Sequence, residues 1–117
     1  MNSLIFSRLK NLKIGAAVIN QQNMRVWTIK KDDRIRINLV KFSGELARHL
    51  HPDASHSIMV LDGKLLAEVS GKTYRMTKGD FISIPQGEPH SYRGIGGEVT
   101  FVSMDAPYYD PAKTVLI

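Results

Sequence analysis

The sequence predicts an all-β fold, a barrel or jelly roll built from short strands that begin near Met24. From this point, runs rich in β-branched and aromatic residues recur at short intervals, and turn-forming residues separate them. In residues 35–39 apolar and polar side chains alternate, which is typical of a strand that buries one face. About eight to ten such strands would bury a core between the two walls of a barrel.

Turn signals set the order of the strands. Asp62-Gly63 and Ser70-Gly71 each lie between two apolar runs and predict hairpins, because these residue types tolerate positive φ. Pro85 is expected to end a strand, since it removes a backbone donor from the ladder. The strands are expected at residues 25–29, 35–39, 58–61, 65–69, 73–76, 80–84 and 99–104.

Basic residues surround the first predicted turn. They are Arg25, Lys30, Lys31, Arg34 and Arg36. Asp32 and Asp33 interrupt them, and no aromatic platform for single-stranded nucleic acid lies nearby. We interpret the cluster as the solvated face of a hairpin, and we expect no nucleic-acid partner despite the formal net charge of +5.

Both ends of the chain are candidates for contacts with a second subunit. Residues 1–14 could form a short amphipathic helix or an extended arm, whereas Pro107 and Pro111 favour an extended arm over residues 106–117. Because edge strands need cover, we expect either end to pair across the interface of a homodimer.

Composition narrows the class of protein and of site. With 117 residues the chain is expected to form a single domain over residues 1–117. It has no cysteine, so any metal must be held by nitrogen and oxygen ligands. The apolar runs are too short for a membrane span or a signal peptide, so we expect a cytoplasmic protein without a membrane partner.

The four histidines are the candidate metal ligands: His49, His51, His56 and His90. Residues two apart on a strand point to the same face, so His49 and His51 are expected to lie side by side. If His90 lies on a facing strand, all four rings converge around one divalent transition metal (Fe, Mn, Ni, Cu or Zn). Taken singly, each histidine is more simply interpreted as a surface or structural residue.

The setting of these histidines resembles the two motifs of the cupin superfamily. The first motif, G-(x)5-H-x-H-(x)3,4-E-(x)6-G, is similar to residues 44–63, and the second, G-(x)5-P-x-G-(x)2-H-(x)3-N, is similar to residues 79–94. The resemblance implies a double-stranded β-helix barrel with a metal inside.

Three positions depart from the family pattern. Gly44 is one residue closer to His49, Gly94 replaces asparagine, and His56 stands where glutamate is usual. A site of four neutral imidazoles keeps the full charge of the ion, which would make it a stronger Lewis acid.

Other motif residues have mainly structural interpretations. Gly63, Gly79 and Gly87 are expected to serve turns, with Pro85 stiffening the approach to His90. Tyr92 shares the face of His90 and could pack in the core or line a pocket, so it is the one candidate catalytic residue. Glu45 and Glu88 are interpreted as solvated. The expected core aromatics are Trp27, Phe42, Phe81 and Phe101.

Two functions from different classes follow. One is a metal-dependent enzyme, a dioxygenase or an isomerase, acting on a small oxygenated molecule. The other is a non-catalytic protein that binds or senses a small molecule or the metal, because fold alone does not decide function. Metal binding is expected to weaken below about pH 6, as protons compete for rings whose free pKa is near 6.5.

Overall fold

The computed structural model describes residues 19–21, 23–50, 54–106 and 115–116. Eleven strands form in this part of the chain. They are β1 (Ile19–Gln21), β2 (Met24–Lys31), β3 (Arg36–Phe42), β4 (Glu45–Leu50), β5 (Ser55–Asp62), β6 (Leu65–Val69), β7 (Lys72–Met76), β8 (Phe81–Ile84), β9 (His90–Gly94), β10 (Val99–Ala106) and β11 (Val115–Leu116). Within these residues no helix could span a membrane.

The strands form two antiparallel sheets. One has six strands in the order β1-β2-β3-β10-β5-β8, and the other has five in the order β11-β4-β9-β6-β7. Strands β3, β5, β8 and β10 belong to the first sheet and strands β4, β6, β7 and β9 to the second, so the chain crosses repeatedly between the sheets. This arrangement confirms the predicted all-β, double-stranded β-helix barrel.

The core lies between the sheets, because alternate residues of each strand point inward. In β5 the buried residues are His56, Ile58 and Val60, and the intervening side chains face outward. The period of two expected from the sequence is therefore present. The core cluster comprises Val26, Val40, Phe42, Ile58, Val60, Leu65, Ala67, Met76, Ile84, Tyr92, Val99 and Phe101.

The two predicted hairpins have different outcomes. Ser70-Gly71 does join the paired strands β6 and β7, with both residues at positive φ (50° and 80°). The hairpin predicted at Asp62-Gly63 is wrong, because β5 and β6 belong to different sheets. Gly63 is needed there for space as well as for its φ of 83°, since an added Cβ would lie 2.7 Å from the Glu98 carbonyl oxygen.

The interpretation of Phe81 as a core residue is wrong. Its side chain is 58% exposed, beside Met59 on the outer face of the six-stranded sheet. In the four-residue strand β8 the period of two turns Ile84 inward and Phe81 outward. The other three predicted core aromatics, Trp27, Phe42 and Phe101, are buried.

The short strands at the two ends of the chain were not predicted. In the C-terminal arm, Val115–Leu116 is extended and pairs with Leu50 and His49 of β4. Residues 107–114 and the N-terminal segment 1–14 lie outside the described residues, so the predictions made for them stay predictions.

Candidate metal centre

Three of the four predicted metal ligands lie together between the two sheets. His49 and His90 face each other across β4 and β9, with ring centroids 4.3 Å apart. His56 comes from the other sheet, and its ring lies 5.4 Å from that of His90 at an interplanar angle of 11°. All three side chains are buried. The fourth predicted ligand, His51, lies outside the described residues.

A bulge in β4 turns His49 inward. Leu46 pairs with Tyr92 and His49 pairs with His90, so two residues of β4 oppose the single residue Ser91 of β9. The extra residue lets both Leu46 and His49 face the interior, which strict alternation would forbid. His49 is accordingly only 6% exposed.

Two of the imidazoles have their Nδ1 atoms held by oxygen acceptors. His90 Nδ1 lies 3.0 Å from the backbone carbonyl oxygen of Glu88, to which it can only donate. His56 Nδ1 donates to the carboxylate of Asp105, which is 2% exposed. In these tautomers Nε2 carries the lone pair, and a hydrogen-bonded Nδ1–H is the usual support of a metal-binding histidine.

Sequence analysis missed Asp105. It lies 49 residues from His56 along the chain, and no local motif joins the two. The alternation of β10 could have identified it: Asp105 follows Val99, Phe101 and Ser103 at intervals of two residues and therefore faces inward.

The interior keeps the His90 ring neutral. The pKa of His90 is lowered from 6.5 to about 4, mainly by burial; the hydrogen bond to the Glu88 carbonyl opposes this shift, and the neighbouring His49 and His56 rings contribute to it. A neutral imidazole is the form that binds a metal. At neutral pH this ring is therefore already in the coordinating form.

Tyr92 packs in the hydrophobic core and also lies beside the histidines. It is a member of the core cluster, with its ring 6.1 Å from that of Phe101. Its ring also lies 5.5 Å from His90 and 6.2 Å from His56. The hydroxyl is buried without a hydrogen-bond partner among the described residues. Burial raises the pKa of Tyr92, so the hydroxyl stays protonated and can donate.

The described residues fit a metal by donor chemistry and by ring spacing. Two imidazoles on one ion, each with a metal–nitrogen distance of about 2.1 Å, hold their ring centres roughly 4.5–5.5 Å apart. The two centroid distances from His90, 4.3 and 5.4 Å, are close to this range. Within the described residues the rings approach in pairs, and no group of three or more His, Asp or Glu side chains is arranged to hold an ion.

The remaining motif residues have structural roles. Gly79 and Gly87 adopt φ of 89° and 78°, as expected for turn positions. Glu45 is exposed, as predicted, beside Arg93. Glu88 is half-buried rather than fully solvated, and its carboxylate accepts a hydrogen bond from the Ser70 hydroxyl.

The wall that carries Asp105 is polar in a way the sequence did not predict. Arg36, interpreted above as part of a solvated face, is 8% exposed, and Asn38 and Ser103 are also buried. The interpretation of Arg36 is wrong because it pairs with Asp105 of β10 and shares the inner face of β3 with Asn38 and Val40.

A double-stranded β-helix with clustered histidines between its sheets defines the class of protein. The family model described as Cupin domain matches residues 39–105. The chain belongs to the cupin family.

Individual relatives differ in how much they share. An uncharacterized protein of Bacillus subtilis (strain 168), YdbB, is 30% identical over 88 residues, which are 74% of this chain and 77% of that protein. Quercetin 2,3-dioxygenase of the same organism is 49% identical over 45 residues, 38% of this chain and only 13% of the enzyme. The polyketide cyclase RemF from Streptomyces resistomycificus has the same fold, with a TM-score of 0.76 at 21% identity, covering 97% of this chain and 86% of RemF.

Proposed function

We propose that this protein is a metal-dependent enzyme of the dioxygenase or isomerase type that acts on a small oxygenated molecule. It would hold one divalent transition metal with His49, His51, His56 and His90. The observation that carries the proposal is the cluster of three buried imidazoles, two with Nδ1 committed to oxygen acceptors.

The protein would contribute orientation, a dry site and one donor. When bound, the metal supplies Lewis acidity towards a substrate oxygen. Asp105 and the Glu88 carbonyl hold the rings of His56 and His90 in their tautomers. The Tyr92 hydroxyl would donate a hydrogen bond to a ligand oxygen beside the histidines, and the surrounding core would exclude water.

The comparisons support an enzyme without specifying its reaction. The match to quercetin 2,3-dioxygenase favours chemistry with oxygen, although it spans a small part of that enzyme. RemF is an enzyme with the same fold, and a similarity at 21% identity supports the fold alone.

A non-catalytic binding or sensing protein is the second candidate. Asp105 is the one buried carboxylate among the described residues, and it is engaged by His56. A general base separate from the histidines is thus not visible in the described interior, which favours binding without turnover.

Metal content followed by oxygen uptake tests the proposal. Protein purified without a histidine tag from cells supplied with Fe, Mn, Ni, Cu and Zn should contain about one metal per chain by elemental analysis. The double variant His56→Ala/His90→Ala should lose it, while Arg93→Gln, at an exposed position, should keep it. Oxygen consumption is then measured with flavonols, diketones, thiols and sugar acids.

Three results separate the candidates. Metal together with oxygen uptake, or with isomerisation of a sugar acid, supports the enzyme. Metal without turnover of any compound supports the binding protein. Protein that takes up none of the five metals contradicts the metal-dependent enzyme and a metal-binding protein, and leaves only a protein that binds a small molecule.

A further inference from the structure

A row of polar residues crosses the inner face of the six-stranded sheet. Asp105 of β10 pairs with Arg36 of β3 on one side and with His56 of β5 on the other. Residues directly opposite each other on neighbouring strands point to the same face. Because His56 faces the barrel interior, Arg36 lies on the interior wall as well.

Arg36 is a buried cation without a counter-ion among the described residues. Arg36 is 8% exposed, and its Nε atom is fully buried with no hydrogen-bond partner among the described residues. The nearest carboxylate in the register, Asp105, contacts His56 instead. Burying a charged group without a partner costs roughly several kcal/mol, so a cation in this position favours a role in binding an anion.

A second donor lies two residues further along the same face. The Asn38 amide oxygen accepts a hydrogen bond from the Thr28 hydroxyl at 3.1 Å. This contact orients the amide and leaves its NH2 group as the donor, and Asn38 is 5% exposed. Arg36 and Asn38 therefore place cationic and neutral N–H donors on one wall.

We propose that Arg36 and Asn38 form a carboxylate-binding subsite on the wall opposite His49 and His90, so that the molecule bound in the barrel is a small organic acid. As an assignment of substrate class this rests on the proposed function, although carboxylate binding itself needs no metal. The planar guanidinium matches the two oxygens of a carboxylate, and burial strengthens such a pair.

The spacing limits the size of the acid. Neighbouring strands lie about 4.8 Å apart, so the Cα atoms of Arg36 and His56 are separated by roughly 10 Å across β10. An acid that reaches from Arg36 to the imidazoles needs its second oxygen only a few atoms from the carboxylate. This description fits 2-oxo acids, hydroxy acids and short dicarboxylic acids.

Calorimetric titration of EDTA-treated protein tests the subsite without metal. The probes are pyruvate, malonate and benzoate, each against its neutral methyl ester. At least one acid should bind, its ester should bind more weakly, and Arg36→Gln should weaken the acid by about 10- to 100-fold. Arg93→Gln is the matched control at an exposed arginine and should bind as wild type does. The proposal is overturned if no acid binds, or if Arg36→Gln binds as tightly as wild type.

Stability of the ligand-free protein separates binding from a structural role. Because Arg36 loses no partner among the described residues, Arg36→Met should unfold at the same temperature as wild type or higher, and should lose the rise in Tm caused by the acid. A variant that is less stable or does not fold shows that Arg36 supports the fold, which overturns the proposal. Metal content distinguishes the two proposals: acid binding by a chain that takes up no metal contradicts the metal-dependent enzyme and leaves the subsite intact.

Discussion

Replacing Asp105 with asparagine removes the charge that holds His56 in its metal-binding tautomer. The carboxylate accepts the hydrogen bond of the Nδ1 proton and so leaves the lone pair on Nε2. An asparagine amide can present NH2 to Nδ1 instead, which would leave the proton on Nε2 and prevent coordination. The perturbation therefore acts on the metal through His56, although Asp105 itself is not a predicted ligand.

The magnitude follows from the burial of the pair. Asp105 is 2% exposed, so water does not screen its interaction with His56. Loss of such a supporting partner typically lowers metal affinity about 10- to 100-fold, or roughly 1.4–2.7 kcal/mol. Deleting the ligand itself with His56→Ala should cost at least as much.

Competition with a chromogenic chelator for Zn²⁺ measures the effect. Glu68→Gln is the matched control, because it also neutralises a carboxylate but at an exposed position of β6. The control should bind zinc as wild type does, and circular dichroism should show that both variants are folded. Wild-type affinity in a folded Asp105→Asn variant would refute the role assigned to the carboxylate.

Three further predictions concern stability and ligand binding. The pKa of His90 is about 4 in the folded protein and 6.5 in the unfolded chain, so the unfolded chain takes up the proton first as the pH falls. The free energy of unfolding of the metal-free protein should therefore decrease by about 3 kcal/mol between pH 6.5 and about pH 4. Urea unfolding across this pH range should show the decrease in stability. An equally steep decrease in His90→Gln would show that it does not come from protonation of His90. Tyr92→Phe removes a hydroxyl that has no hydrogen-bond partner among the described residues, so the ligand-free protein should be unchanged or more stable while acid binding or turnover weakens. A lower Tm would show that the hydroxyl stabilises the fold. Gly63→Ala should lower the free energy of unfolding, measured by denaturant titration, by more than Gly71→Ala does. Both glycines have positive φ, but only at Gly63 would the added Cβ meet a backbone atom, the Glu98 oxygen at 2.7 Å. Equal decreases in the two variants would exclude this close approach as the cause.

The fold could be predicted because its signals are local. Strand β6 was expected at residues 65–69 and forms at Leu65–Val69, since a period of two and flanking turn residues are read within a few positions. Which strands pair with each other cannot be inferred from a few neighbouring positions. Asp62-Gly63 has the composition of a hairpin turn, yet the chain there crosses from one sheet to the other because β5 pairs with β8 and β10.

The candidate site could be predicted in part. His49, His56 and His90 are rare residues in a recognisable spacing, and the structure brings them together. Asp105 and Arg36 were missed because their significance depends on register: each becomes informative only when β10 lies between β3 and β5. Charge in the sequence marked Arg36 as solvated, whereas its position on the inner face of a strand decides its burial.

Anomalous diffraction from crystals of the metal-loaded protein, measured on both sides of the metal absorption edge, tests the metal centre most directly. The account predicts one peak inside the barrel, at about 2.1 Å from Nε2 of both His56 and His90. A chain that diffracts with no anomalous peak between the sheets, or with its only peak on the outer surface, would contradict it.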